Sequence, residues 1–185
     1  MTLGYALLKR RSTREYRDQA ILRKDLAHLL WATQGVTGLG GLRTAPSAGA
    51  LCPLRAYVLA FNVDGLAKGM YRYDPDSHEL ETLGRGDRRK AFMAAAAGQD
   101  CVGQCAAAVL LTADLRRMKK EFGEMSRTLA LMETGHAGQN FLLAATALGL
   151  GTIGLRKFDA TIVHQLLELP DHEEPFYVLI AGHPR

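Results

Sequence analysis

The sequence predicts an α+β fold, and three observations carry that expectation. A long segment from Ser126 to Leu148 is apolar on nearly every face of a helix. Short β-forming runs at Arg55 to Val63, Gly69 to Tyr73, Glu79 to Leu83, Ala106 to Thr112 and Phe176 to Ala181 predict sheet strands. Two of these runs flank Asp74-Pro75-Asp76-Ser77, a turn signal that predicts a hairpin. Neither repeats, low-complexity tracts nor a dividing linker interrupt the order, so residues 1–185 are expected to form one domain.

Taken in order, Leu22, Leu26, Leu29, Leu30 and Thr33 recur at helical spacing, and Gly35 stands where that helix would end. Val36 to Pro53 is glycine-rich and aperiodic, which predicts a long ordered or functional loop. The segment from Ser126 carries Glu133, His136, Gln139 and Asn140 among its apolar residues and meets Gly149 as a stop; it is expected to pack on all sides as a central helix. Gly151 to Leu155 then predicts a strand. Asp159 is placed to cap a helix running to about Leu169, which Pro170 ends.

Composition narrows the function. With 48% hydrophobic and 23% charged residues in 185, the chain can bury a substantial core. Its net charge of +4 is uneven, because Arg10, Arg11, Arg14 and Arg17 crowd together. That pattern predicts a local anion site. A nucleic-acid partner is not expected, since the basic runs Arg85 to Lys90 and Arg116 to Lys120 are short and lack interleaved aromatics; they read as solvated faces. Cys52, Cys101 and Cys105 lack zinc or disulfide-scaffold spacing and predict free thiols in a reducing compartment. The absence of a secretory pattern at Met1 to Arg14, and of about 18 uninterrupted apolar residues anywhere, predicts a cytoplasmic protein without a membrane partner.

Three motifs fail on inspection. Gly149-Leu150-Gly151-Thr152-Ile153-Gly154 matches a dinucleotide fingerprint, but it follows a helix and precedes a strand, the reverse of what pyrophosphate binding needs. Glu133 and His136 have di-iron helix spacing, yet only Asp25 and His28 could form a second pair; a satisfied polar contact inside the packing is the favoured reading. No metal is expected. Ser47 lacks the first glycine of a hydrolase elbow.

Arg10-Arg11-Ser12-Thr13-Arg14-Glu15-Tyr16 resembles the opening motif of the nitroreductase family, and Thr44-Ala45-Pro46-Ser47-Ala48-Gly49-Ala50-Leu51-Cys52-Pro53-Leu54 resembles the loop of its SagB-type branch, with Cys52 in place of Tyr. The run Leu131 to Asn140, followed by Ala147 to Gly151, resembles the family's central helix and exit. The resemblance implies a nitroreductase-like α+β fold: a mostly antiparallel sheet flanked by helices, in a homodimer that exchanges segments and holds FMN at its interface. By resemblance, Arg10, Arg11 and Ser12 meet the phosphate, and Arg14 reaches the pyrimidine edge. Pro46, Ser47, Ala48, Gly49 and Leu51 serve the neighbour's flavin. Backbone donors at Leu155, Arg156 and Lys157 approach the flavin N5, Arg185 adds a phosphate contact, and Gln99 is a further candidate at the pyrimidine edge. Arg156 and Lys157 depart from the Gly or Glu common there.

The resulting expectation is an FMN-dependent oxidoreductase. It would take hydride from NADH or NADPH and pass it by ping-pong kinetics to a small acceptor: a nitroaromatic, quinone or enone. No side chain is assigned the chemistry, which belongs to the cofactor. The rival readings are an azoline oxidase of modified peptides, a non-catalytic flavin-storage protein and, more remotely, a metal-binding helical protein. Against the first, Glu121-Phe122-Gly123 stands where the branch carries Lys-Tyr-Gly, with Lys120 as a neighbouring substitute.

Overall fold

The computed structural model describes residues 2–185. Helix α1 (Leu3–Lys9) opens on Thr2, whose hydroxyl accepts the Tyr5 N–H. Strand β1 (Ile21–Leu22) runs into α2 (Arg23–Gln34), which buries Leu26, Leu29 and Leu30 as their spacing predicts. The segment expected to be irregular contains a ribbon, β2 (Val36–Gly38) and β3 (Leu42–Arg43), and a 3-10 turn at Ala48–Ala50. Gly40 and Gly41 turn the ribbon at φ 77° and 78°, in the left-handed region that glycine enters without steric cost.

Strand β4 (Leu54–Ala60) ends earlier than predicted, because the chain turns at Phe61 and Asn62 before β5 (Val63–Asp64) pairs with β1. The predicted hairpin forms from β6 (Gly69–Asp74) and β7 (Glu79–Arg85); the Asp74 carboxylate accepts the Asp76 N–H and the Ser77 hydroxyl in its turn. Short helices α3 (Arg89–Ala95) and α4 (Asp100–Gln104) precede β8 (Ala107–Asp114), and α5 (Arg116–Phe122) precedes the long α6 (Ser126–Ala147). Gly149 follows at φ 73° and redirects the chain into β9 (Gly151–Leu155). The Asp159 side chain accepts the N–H groups of Thr161 and Ile162 to cap α7 (Ala160–Leu167), after which β10 (Glu173–Gly182) closes the fold.

Six strands make one antiparallel sheet in the order β7-β6-β4-β8-β10-β9. Alternation along its central strands divides the core. Ala107, Val109, Leu111 and Ala113 of β8 join Ala56 and Val58 of β4 in a cluster under α2 and α6. Ala108 and Leu110 join Tyr57, Leu59, Val178 and Ile180 in a second cluster beneath α3, α4 and α7. Burying a large apolar side chain contributes roughly 1.5–3 kcal/mol, so a one-residue register slip in β8 would forfeit both clusters.

The expectation that α6 packs on all sides is not met within one chain. Ala130, Ala137, Phe141 and Ala145 are buried, whereas Met132 is 57% exposed. Apolar composition runs round the helix, but only part of its circumference faces the sheet and α2.

Two glycines fix the position of α6 against the far edge of the sheet. Tyr177 of β10 fills a slot in which a Cβ on Gly138 would lie 2.7 Å from its ring, and one on Gly154 only 2.1 Å from its hydroxyl. Gly154→Ala is therefore expected to destabilise the chain by about 1–3 kcal/mol through overpacking. Tyr177→Ala in the same chain should recover part of that loss, and urea unfolding of the single and double variants checks the coupling.

Candidate functional site

Residues 12–17 lie between β9 and the chain's end. Ser12 bridges Thr152, and the Thr13 N–H donates to the Thr152 carbonyl at 3.0 Å. Tyr16 bridges Pro184, its N–H donates to Gln104 Oε1 at 3.1 Å, and its buried ring packs on Gly182. The Arg17 N–H donates to the His183 carbonyl at 2.9 Å, and the Arg185 N–H to that of Glu15 at 3.3 Å. These bonds bring Arg14 and Arg185 to one cleft of about 500 Å³, lined also by Gln99, Cys101, Gln104 and Ile153. The Gln99 amide donates to the Lys157 carbonyl at 2.9 Å, which ties the cleft to the exit of β9.

Leu155 is the last residue of β9 and is buried, whereas Arg156 and Lys157 lie past the ladder with exposed side chains. Among the described residues, no acceptor takes the N–H groups of Arg156 and Lys157, leaving two backbone donors beside the cleft. Arg10 is half-buried at the end of α1. Arg11 is partly committed elsewhere: one of its guanidinium nitrogens donates to the Leu8 and Arg10 carbonyls at the end of that helix. Sequence reasoning missed Gln104, which holds Tyr16 and lines the cleft; its placement depends on contacts distant in the chain.

Pro46, Ser47, Ala48, Gly49 and Leu51 do not line that cleft. Their loop lies on the α6 side of the sheet, where Asn140 Nδ2 donates to the Thr44 carbonyl at 3.1 Å and Ser47 Oγ accepts the Cys52 N–H at 2.9 Å. The predicted residues thus fall into two sets, one around Arg14 and one around Ser47. A larger cleft of about 670 Å³ beside Cys52 mixes Arg43, Arg55 and Arg72 with Asp74, Asp76, Glu79 and Glu81, and two of those arginines already hold carboxylates. It has no excess positive charge to offer an anion.

A profile described as the nitroreductase family matches residues 7–183. The chain belongs to the nitroreductase family. A Methanocaldococcus jannaschii protein named as a nitroreductase is 33% identical over 176 residues, covering 95% of this chain and 88% of that one. A nitroreductase structure from Ralstonia eutropha superposes with a TM-score of 0.88 at 31% identity, covering 100% of this chain and 84% of the other. One from Anabaena variabilis gives 0.88 at 29% identity and covers 99% of this chain; this chain spans only 38% of that protein. The nitroreductase fold and an oxidoreductase function follow from this membership.

For a nitroreductase, the chemistry of the cleft is that of binding rather than of nucleophilic attack. Burial raises the Cys101 thiol above its ordinary value and pushes Cys105 up to about 12, so neither offers a thiolate near neutrality. Among the described residues no His, Cys, Asp or Glu cluster could hold a metal, and His136 is exposed while Glu133 is buried. No helix there is long and apolar enough to cross a membrane. Phe122 packs over Gly49, within 3.1 Å of where a Cβ would stand, and Glu121 is exposed.

Glu133 corrects the expectation of a satisfied polar contact, since its Oε2 is buried without a hydrogen-bond partner. Burial raises its carboxyl from the ordinary 4.5 to about 7, against an opposing bond from the Ser47 hydroxyl. The folded chain therefore keeps a proton that the unfolded chain releases between these values. Stability from this group is full below pH 4.5 and falls as pH rises towards 7. The loss is on the order of 3 kcal/mol. Glu133→Gln should lack this slope, so denaturant unfolding at pH 5 and pH 8 is expected to show a smaller pH effect in the variant than in the wild type.

Proposed function

We propose that this nitroreductase is FMN-dependent and reduces a small acceptor, a nitroaromatic, quinone or enone, at the expense of NADH or NADPH. The observation that carries the reading is the convergence of Arg14, Gln99 and Arg185, three points far apart in the chain, on one cleft beside the free N–H groups past Leu155. That donor set fits FMN: guanidinium groups for its phosphate and pyrimidine edge, an amide for a carbonyl edge, and backbone N–H groups for a ring nitrogen. When bound, FMN supplies hydride transfer, accepting from the nicotinamide and delivering to the acceptor in separate half-reactions. Arg14 would favour negative charge at the pyrimidine edge. Arg10 and Ser12, on the segment bonded to Thr152, would extend the donor set to the phosphate, with Arg11 reduced to a supporting part by its bonds to α1.

The loop at Ser47 completes the site from a second copy of the chain. It stands outside the Arg14 cleft, and the surface on its side of the sheet leaves apolar side chains uncovered, among them Leu3, Leu7, Leu8 and Met132. A homodimer covers such a surface and sets each loop against the other's cleft.

Three outcomes follow. Arg14→Ala and Arg185→Ala should each weaken FMN binding about tenfold or more, because charge-assisted bonds contribute roughly 1.5–3 kcal/mol. Flavin fluorescence measures it; unchanged affinity in both variants would remove the assignment. Anaerobic NADH or NADPH should bleach the bound flavin, and varying either against a quinone should give parallel double-reciprocal lines; intersecting lines would reject alternating occupancy. Thiazoline peptides should remain unoxidised, because Phe122 has no hydroxyl and Glu121 no cationic donor; thiazole formation seen by mass spectrometry would restore the azoline reading.

A further inference from the structure

The central helix carries a buried carboxyl that the reading above leaves without a part. Glu133 is 3% exposed, its Oε2 has no hydrogen-bond partner, and it makes no ion pair among the described residues. The polar group it meets is the Ser47 hydroxyl. Seven residues on, and so on the same side of α6, Asn140 holds the Thr44 carbonyl. One helix therefore secures the segment from Thr44 to Cys52 at two points.

That segment needs securing. Gly49, Ala50 and Cys52 have φ of 59°, 52° and 45°, and the two that are not glycine each cost on the order of 1–3 kcal/mol, a strain that persists only where neighbours over-determine it. Ser47 supplies part of that determination by accepting the Cys52 N–H.

We propose that Glu133 is a positioning residue for the flavin-facing loop: through Ser47 it holds the loop's shape and sets the direction in which the Ser47 hydroxyl hydrogen points. The inference rests on the flavin reading of that loop. A serine hydroxyl has one hydrogen and two acceptor sites. The Cys52 N–H occupies one site. A neutral Glu133 donates to the other and leaves the Ser47 hydrogen free for an oxygen or nitrogen acceptor outside the loop, which is what a flavin ring edge presents. An ionised Glu133 instead takes the Ser47 hydrogen for itself, and the outward donor is lost. Burial without a cation favours the neutral form.

Ionisable groups stand on the elements packed around Glu133: His136 on its own helix, Lys9 on α1, His28 on α2, Arg55 on β4, Lys120 and Glu121 on α5, and Tyr177 on β10. None of these acts on its ionisation, which burial and the Ser47 bond govern. The device is thus confined to two side chains.

The test is FMN affinity, followed by flavin fluorescence at pH 6 and pH 8.5 in the full-length protein, with circular dichroism to verify folding. Wild-type affinity should fall several-fold at the higher pH. Glu133→Gln, neutral and still a donor, should bind as the wild type does at pH 6 and show no pH effect. Glu133→Leu, which keeps volume without a donor, should lose about tenfold at both pH values. Ser47→Ala should do the same, and the double variant should be no weaker than Ser47→Ala alone. Wild-type-like binding by Glu133→Leu, additive losses in the double variant, or a pH effect that survives in Glu133→Gln would each overturn the proposal; the last needs no folded Leu variant. Failure of the wild type to bind FMN at either pH would instead overturn the flavin reading, and this role with it.

Discussion

The backbone hydrogen bonds of residues 12–17 are what the candidate site depends on. Sheets of this kind leave an edge strand with unpaired groups, and here β9 is that edge. The chain covers it with its own N-terminal segment, through Ser12 and Thr13 on Thr152, and then runs on to meet the C-terminal residues at Pro184 and Arg185. Covering an edge and assembling a cationic cleft are one act: the pairing that protects β9 also fixes where Arg14 and Arg185 stand. Gln104 adds the third support, because its side chain takes the Tyr16 N–H and so ties the same segment to α4. Each of these bonds is modest, about 0.5–1.5 kcal/mol net, but they act on one short stretch whose shape they determine together.

Much of the architecture was legible because long-range packing agreed with local pattern. The hairpin around Asp74-Pro75-Asp76-Ser77, the helix capped by Asp159 and the central helix stopped by Gly149 all carry their own chemistry in sequence. What escaped were α1, α3, α4 and α5, each of seven residues or fewer. Isolated helices of that length are unstable in water, and these exist because the sheet and α6 receive them. Their N-terminal positions also lack the usual signals: Arg88, Gln99 and Leu115 cap α3, α4 and α5 without a side-chain bond. The ribbon β2-β3 was hidden for a related reason, since two or three residues give no periodicity to read.

The site was legible to a different degree. Arg14, Gln99 and Arg185 were named from sequence by resemblance and converge in one cleft; Gln104, which holds them in place, was not, since a glutamine five residues after another on a short helix has no local signature. Arg11 shows the opposite error. A basic residue beside an anion motif invites assignment to the anion, yet carbonyls at the end of α1 compete for its guanidinium. Glu133 was misjudged in yet another way: a carboxyl inside helix packing is ordinarily satisfied, and this one keeps an oxygen without a partner.

These particulars meet in α6. Glu133 and Asn140 direct it at the loop of Ser47, while Gly138 admits the Tyr177 ring, which in turn presses on Gly154, one residue before the exit of β9. The same rigid helix therefore sets the height of the strand beside the Arg14 cleft and the shape of the loop that stands apart from it. Close packing transmits displacement because an interior has no slack to absorb it. If each loop serves a neighbouring copy, the two halves of every site are registered from a pair of central helices, and a substitution at Gly138 would disturb both halves at once. A substitution at Gln104 would act differently, loosening the cationic cleft while leaving the loop in place, because its bond to Tyr16 lies across the sheet from Ser47.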